Sequence, residues 1–307
     1  MKKAIKLIVI IVIIILVAYF IKDNFYVVKN KIEYVYLKYL QPEIKQNLVD
    51  NAYKKEENYA YVNINTNTTL KNKDDIKNAV YTYLDAGWDE YKLKCDIDYL
   101  NCINDAKDIV LNKINISNIS YFIHPYNTFS KINMGFSPTG KIVLKKTRKY
   151  SDEQIKIIDA KINEIYKENY NPKKTTRENI KIFHDYIINH TTYDVKNNSI
   201  DSNYPSGTAY GVLTEGVGIC SGYTDTMALF LEKMNVKNYR IASSTHIWNL
   251  VYIEGKWLHL DLTWDDPLTD DGSEKLTNDY FLISTEELKN KNDGQHDFDE
   301  NVFIEAK

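Results

Sequence analysis

Three residues in the second half of the chain have the side chains that thiol catalysis requires. The first is Cys220, in a Gly-Ile-Cys-Ser-Gly-Tyr stretch at 218–223 that is followed by the apolar run 227–231. A glycine-rich turn before an apolar run predicts a thiol at the N-terminus of a helix, where the helix dipole and unpaired N–H groups stabilise a thiolate. The thiolate is the reactive form, so Cys220 is a candidate nucleophile.

His246 and Asp261 lie downstream, and each is embedded in a run of β-branched, aromatic and aliphatic residues. Such runs predict β-strands. Cysteine, histidine and aspartate are the nucleophile, the base and the base-orienting group of a thiol triad. The two strands therefore need to bring His246 and Asp261 together.

The turn between these strands tests whether they can. Gly255 supplies the positive φ of a tight turn, which favours a two-residue loop at 254–255. That loop places His246 opposite Thr263, so Asp261, two residues away, projects from the same face of the sheet. A four-residue loop keeps this parity, whereas a three-residue loop puts the two side chains on opposite faces.

Residues 207–285 resemble the transglutaminase-like domain, the papain-related fold of transglutaminases and several bacterial thiol peptidases. Four blocks carry the resemblance in order: Thr-Ala-Tyr-Gly-Val-Leu at 208–213, Gly-Ile-Cys-Ser-Gly-Tyr at 218–223, His-Ile-Trp-Asn at 246–249, and 257–267, which ends in Asp-Leu-Thr-Trp-Asp-Asp-Pro. The resemblance implies an α+β fold in which the cysteine helix packs on an antiparallel sheet carrying the other two residues. It also implies Cys220 as nucleophile, His246 as general base and Asp261 as orienting acid. Hydrolysis, amide transfer and loss of activity all occur on this fold, so the reaction stays open.

Three aromatic residues are further candidates for the site. The oxyanion of a thiol reaction needs the backbone N–H of Cys220 and a second donor. The resemblance places that donor shortly upstream of the cysteine, and Tyr210 is the candidate. Trp248 and Trp264 flank the triad residues and are candidates for a substrate groove, with core packing as the alternative.

Two readings of the polar residues as metal sites are weaker. A zinc site from Cys220, His246, His259 and Asp261 lacks the close ligand pairs that such sites usually show. The acidic residues Asp265, Asp266, Asp270 and Asp271 do not have EF-hand spacing, so we predict a solvated loop rather than a calcium site. We therefore predict no metal and no cofactor.

The N-terminus predicts a membrane anchor. Three lysines within residues 2–6 precede an uncharged run of 15 residues, 7–21. A cleaved signal peptide is the alternative, but no small-x-small cleavage site follows Ala18. We predict an uncleaved, single-pass signal-anchor that leaves the globular part outside the cell, because positive residues precede the span. A disulfide between Cys95 and Cys102 would suit that compartment and leave Cys220 free, although two reduced thiols are the alternative.

The 307 residues and the net charge of −3 fit about two domains and give no support to nucleic-acid binding. We predict a signal-anchor at 1–22, a stalk at 23–70, a small α/β module at 71–150 and the catalytic domain at 151–307. Helices are expected from Asp74, over 103–113, from Ser151 and over 176–189, and a β-hairpin is expected around 137–140.

Taken together, the sequence predicts a surface-anchored thiol enzyme that acts on peptide or carboxamide bonds, foremost a cysteine peptidase or amidase. The expected partners are a protein or peptide substrate, including cell-wall peptides, and the membrane. A protein-glutamine transamidase and a non-catalytic binding module on the same fold are the alternatives.

Overall fold

The computed structural model describes residues 2–36, 44–197, 205–266 and 276–307. The helices and strands follow in chain order: α1 Lys2–Asp23, α2 Phe25–Val35, β1 Thr69–Leu70, α3 Lys73–Asp85, β2 Glu90–Cys95, α4 Cys102–Leu111, α5 Lys113–Ser120, β3 Phe129–Phe136, β4 Lys141–Arg148, α6 Asp152–Asn169, α7 Thr176–His190, β5 Thr192–Tyr193, α8 Ala209–Glu215, β6 Val217–Gly218, α9 Cys220–Lys233, β7 Asn238–Ala242, β8 Ile247–Ile253, β9 Lys256–Leu260, β10 Phe281–Ile283 and α10 Thr285–Lys291.

Two four-stranded sheets organise the chain. The first has the order β1-β2-β4-β3 and the second, antiparallel throughout, has the order β10-β9-β8-β7. Helix α9 packs against β7 and β8 of the second sheet. The predicted α+β class, with the cysteine helix on an antiparallel sheet, agrees with this arrangement.

The β8–β9 hairpin has the two-residue loop that the sequence favoured. Ile253 pairs with Lys256, and the register continues without a shift to the pair Asn249–Leu260. Both loop residues have positive φ, 56° at Glu254 and 78° at Gly255. A non-glycine residue pays a steric cost for that conformation. Arg177 of α7 holds the Glu254 carboxylate with two hydrogen bonds of 2.9 Å.

Helix α9 begins at Cys220, as predicted, and is buried from its first residue through Leu231. The glycine at position 222 permits this burial, because a Cβ there would lie 2.3 Å from the backbone oxygen of Ser206. No side chain caps the helix start at Ile219. The first N–H groups of the turn that carries the thiol are therefore not capped by the side chain at that position.

One hydrophobic core joins the predicted module to the second sheet. It includes Leu93 and Leu144 of the first sheet together with Trp248 and Leu250 of the second. Val62, within the segment 23–70 that the sequence analysis predicts as a stalk, is fully buried in the same core. The chain around Val62 therefore packs into the globular body.

A buried ion pair also links the module to α9. Asp225 of α9, which is buried, accepts a 3.0 Å hydrogen bond from Arg240 of β7. Burial favours the neutral acid, but the nearby Lys149 and Arg240 charges outweigh it and lower the pKa of Asp225. Arg240 also donates to the carbonyls of Ser120 and Ile123 in the module.

Several local predictions hold in the structure. Ser151 forms a capping box at the start of α6, and the hairpin around 137–140 is β3–β4. Cys95 and Cys102 form a disulfide, and Cys220 is free.

Within the described residues, no single helix is both long and apolar enough to cross a membrane. One bent pair, Ile10–Lys22 with Phe25–Ile32 at 89°, meets those criteria together.

Candidate functional site

The Cys220 thiol lies at the first position of α9 in a small apolar cluster. The cluster contains Ala242 at the end of β7, Ile247 at the start of β8, and the half-buried ring of Tyr121 from the module. Only 4% of Cys220 is exposed. The thiol is thus held between the cysteine helix, the second sheet and one residue of the module.

His246 immediately precedes β8, and Asp261 immediately follows β9. Their side chains meet as the parity of the turn predicted, with 2.5 Å between His246 Nε2 and Asp261 Oδ2. Cys220 is close enough to His246 to raise the pKa of the imidazole. The imidazole is therefore influenced by the thiol as well as by the carboxylate that it contacts.

The electrostatics of these three residues favour charged partners. Burial disfavours the imidazolium, but the charge and hydrogen bond of Asp261 and the interaction with Cys220 outweigh it and raise the pKa of His246 to about 10. Burial likewise disfavours the Asp261 carboxylate. The His246 charge and the hydrogen bonds from His246 and His296 overcome it and hold the pKa of Asp261 well below its usual range. At neutral pH His246 is therefore an imidazolium next to Cys220, and the Asp261 carboxylate on the other side of the ring is ionised.

His296 is a fourth member of the site that the sequence analysis did not identify. Its Nε2 lies 2.9 Å from the same Asp261 Oδ2 that binds His246. Its Nδ1 lies 2.8 Å from Asp293 Oδ2. The local signal was an Asp-Gly-Gln-His turn at 293–296, but nothing near it in sequence indicated where that turn packs.

Asp261 is fully occupied as an acceptor. Oδ2 accepts from His246 and His296, and Oδ1 accepts from the backbone N–H groups of Thr263 at 2.9 Å and Trp264 at 3.3 Å. A carboxylate has about four lone-pair sites, and here each has a donor. The buried charge is therefore both compensated and fixed in orientation.

The aromatic candidates have different places. Trp248 is buried with 1% exposure and donates to His259 Nδ1 at 2.9 Å, so it packs in the core and stacks on His246 instead of lining an open groove. Trp264 is half-buried and contacts the His296 ring. Tyr210 packs against the hydrophobic cluster around α6–α9, whereas the tyrosine that packs with Cys220 is Tyr121.

The predicted solvated loop is wrong at Asp265 and Asp266, which are 0% and 2% exposed. Asp265 Oδ2 lies 3.0 Å from Nε2 of fully buried His184, and Asp266 Oδ2 accepts a 2.6 Å hydrogen bond from Tyr223. Their partners on α7 and α9 draw both carboxylates inward. Asp270 and Asp271 lie outside the described residues.

Of the donors weighed for a zinc site, His259 is used elsewhere. It accepts from Trp248 and hydrogen-bonds Thr285, and burial together with the His296 charge lowers the pKa of His259 to about 3. The donor atoms that do converge, within 4.8 Å of one another, belong to His246, Asp261 and His296. Their mutual distances of 2.5 and 2.9 Å are those of hydrogen bonds.

Residues 164–262 match the family described as the transglutaminase-like superfamily. Among solved structures, a protein described as a TGase is 17% identical, covers 50% of this chain and 47% of its own, and has a TM-score of 0.33. A candidate cysteine protease from Cytophaga hutchinsonii is 15% identical and has a TM-score of 0.29. The match covers 48% of this chain and 65% of the protease chain. This chain thus spans less than two thirds of either structure. No curated protein matches the sequence. The segment that matches the family contains Cys220, His246 and Asp261.

The two buried aspartates give a matched test of the site. Asp261→Asn removes the charge that holds His246, so alkylation of Cys220 by iodoacetamide at about pH 6 should fall at least about tenfold per folded molecule. Asp265→Asn removes an equally buried charge from His184. It should lower the free energy of unfolding by about 1–3 kcal/mol without changing that alkylation rate. Equal losses of reactivity in the two variants would contradict the assignment of Asp261.

Proposed function

We propose that the transglutaminase-like segment of this chain, residues 164–262, is the catalytic part of a thiol enzyme that acts on peptide or carboxamide bonds, foremost as a cysteine peptidase or amidase. The observation that carries the proposal is the position of His246 next to Cys220 and in contact with Asp261, with the imidazole held in its charged form. An imidazolium beside the thiol favours the thiolate, which is the attacking species.

The first step is attack by the Cys220 thiolate on the carbonyl carbon of the substrate. A carbon–sulfur bond forms, and the electron pair of the carbonyl π bond moves to the oxygen. The backbone N–H of Cys220, at the start of α9, is a donor for that oxyanion, and the positive end of the helix dipole stabilises it further. This use of the N-terminal turn is consistent with a helix start that has no side-chain cap.

The second step expels the amine. The His246 imidazolium donates its proton to the leaving nitrogen, the carbon–nitrogen bond breaks, and a thioester on Cys220 remains. Asp261 keeps the ring oriented while it changes charge. In the third step, neutral His246 takes a proton from the incoming nucleophile, which attacks the thioester and restores the thiolate–imidazolium pair.

The incoming nucleophile separates the two catalytic alternatives. Water gives hydrolysis, and a primary amine gives a transamidase. A non-catalytic binding module would have no use for a buried, charged and aligned triad, which is costly to bury. This cost disfavours the third alternative.

A product assay decides among these functions. Full-length protein, purified in detergent because of its apolar N-terminus, is incubated with a glutamine-containing peptide, a primary amine and cell-wall peptides. We expect mass spectrometry to detect products of water attack, cleavage or deamidation, and Cys220→Ala to abolish them. Amine incorporation as the main product would instead make the protein a transamidase. Absence of every product, with Cys220 reactive towards iodoacetamide, would contradict the proposed substrate class.

We also propose that the apolar N-terminal segment anchors the protein in the cell membrane with the globular part outside. The lysines ahead of the apolar run support this orientation. Protease treatment of intact cells should then remove the globular part and leave an N-terminal stub. Protection of the whole body, or release of a form that starts near residue 22, would contradict the proposal.

A further inference from the structure

His296 has a carboxylate at each ring nitrogen. Asp261 Oδ2 lies 2.9 Å from Nε2, and Asp293 Oδ2 lies 2.8 Å from Nδ1. An ionised carboxylate can only accept, and a neutral imidazole has only one N–H. Both contacts are hydrogen bonds at once only when the ring is a doubly protonated imidazolium.

The chain builds this contact with a compact turn. Asp293 Oδ1 accepts the backbone N–H groups of Gln295 and His296, and Gly294 takes a φ of 73°. This Asx turn places the His296 ring next to Asp293, the residue that begins the turn. The Tyr280 hydroxyl donates to Asp293 Oδ2 at 2.9 Å, and the Tyr280 ring stacks on His296.

The segment that follows is attached to the site. Phe298 forms an antiparallel bridge with Ser243, three residues before His246. The Ser243 hydroxyl in turn accepts the backbone N–H of His246. The segment from His296 to Phe298 thus contacts the site twice. Phe298 pairs with Ser243, which binds the backbone of His246, and His296 contacts Asp261.

The titratable groups around His296 form an alternating series. Asp261 and Asp293 are its hydrogen-bond partners, His246 lies at a ring distance of 5.2 Å, and Tyr280 and His259 are the other titratable neighbours. His259 is neutral, because burial lowers its pKa to about 3. In order from Cys220, the groups are therefore the thiol, the His246 imidazole, the Asp261 carboxylate, the His296 imidazole and the Asp293 carboxylate.

We propose that His296, held by Asp293, is a positioning residue of this site: as an imidazolium it fixes Asp261 as an ionised acceptor aimed at His246, and so keeps Cys220 reactive under mildly acidic conditions. The proposal rests on the proposed thiol chemistry. His296 acts through Asp261 and has no direct contact with the reacting atoms. Its charge and its N–H have separable effects, since the charge favours the thiolate at a distance and the N–H fixes the carboxylate.

Two substitutions separate these effects. In His296→Gln the amide nitrogen takes the place of Nε2, so the donor to Asp261 is kept and the charge is lost. In His296→Asn the shorter amide takes the place of Nδ1 and reaches only Asp293. His184→Gln is the matched control, because His184 is also buried between two carboxylates, Asp185 and Asp265.

The readout is the pH profile of Cys220 alkylation by iodoacetamide in full-length protein, which needs no knowledge of the substrate. At about pH 5.5 we expect the rate to fall about threefold in His296→Gln and about tenfold in His296→Asn. The acid limb, which is the part of the profile where the rate falls as the pH is lowered, should move towards higher pH in both variants. His184→Gln should lower thermal stability and leave the limb in place. Circular dichroism identifies the folded fraction of each variant.

Asp293 tests the coupling. Asp293→Asn removes the acceptor of the His296 Nδ1–H, so it should displace the acid limb in the same direction as His296→Asn. In the double variant it should add nothing, because residues that act as one unit are not additive.

The outcomes separate this proposal from the proposed function. Wild-type protein that alkylates like free cysteine at every pH would overturn the proposed function. Fast alkylation of the wild type at about pH 5.5, with unchanged limbs in folded His296→Asn and Asp293→Asn, would overturn the positioning role alone. A limb that moves equally in His184→Gln would also overturn it, since general destabilisation would then be the cause.

Discussion

The structure around the site depends on one buried anion. The Asp261 carboxylate is 2% exposed, and an unpaired charge at that depth would cost several kcal/mol. Four donors from different parts of the chain compensate it: His246 before β8, His296 in the C-terminal turn, and two backbone groups directly after β9. Ordering these segments around one carboxylate also brings His246 and His296 into contact with Asp261. The folding of the C-terminal region and the alignment of the base are therefore coupled.

A second buried anion, Asp225 of α9, also holds separate segments of the chain together. Its partners Arg240 and Tyr150 belong to the second sheet and to the segment that precedes α6. Because Arg240 also binds carbonyl groups of the module, the position of the cysteine helix and that of Tyr121 are fixed by one ion pair. The module thus contributes a wall of the thiol environment, although none of its residues belongs to the triad.

Local rules explain what the sequence could predict. The hairpin parity that joins His246 to Asp261 follows from a two-residue turn and the strand period of two, and the start of α9 follows from the glycine-rich turn before Cys220. The missed features depend on contacts across long sequence separations. His296 lies 35 residues from Asp261 inside a polar stretch typical of a solvated tail, and Asp265 is buried by a histidine 81 residues upstream. Neither partner can be read from spacing, because both require the tertiary path of the chain.

The central claim is that Cys220 exists as a thiolate paired with the His246 imidazolium. The most direct measurement is the ultraviolet absorbance of the thiolate, taken as the difference between the wild type and Cys220→Ala across pH. The account predicts that this absorbance is fully developed at about pH 6, where a free cysteine is protonated, and that it is lost at that pH in His246→Ala. Absorbance that develops only above about pH 8, in the same way with and without His246, would contradict it.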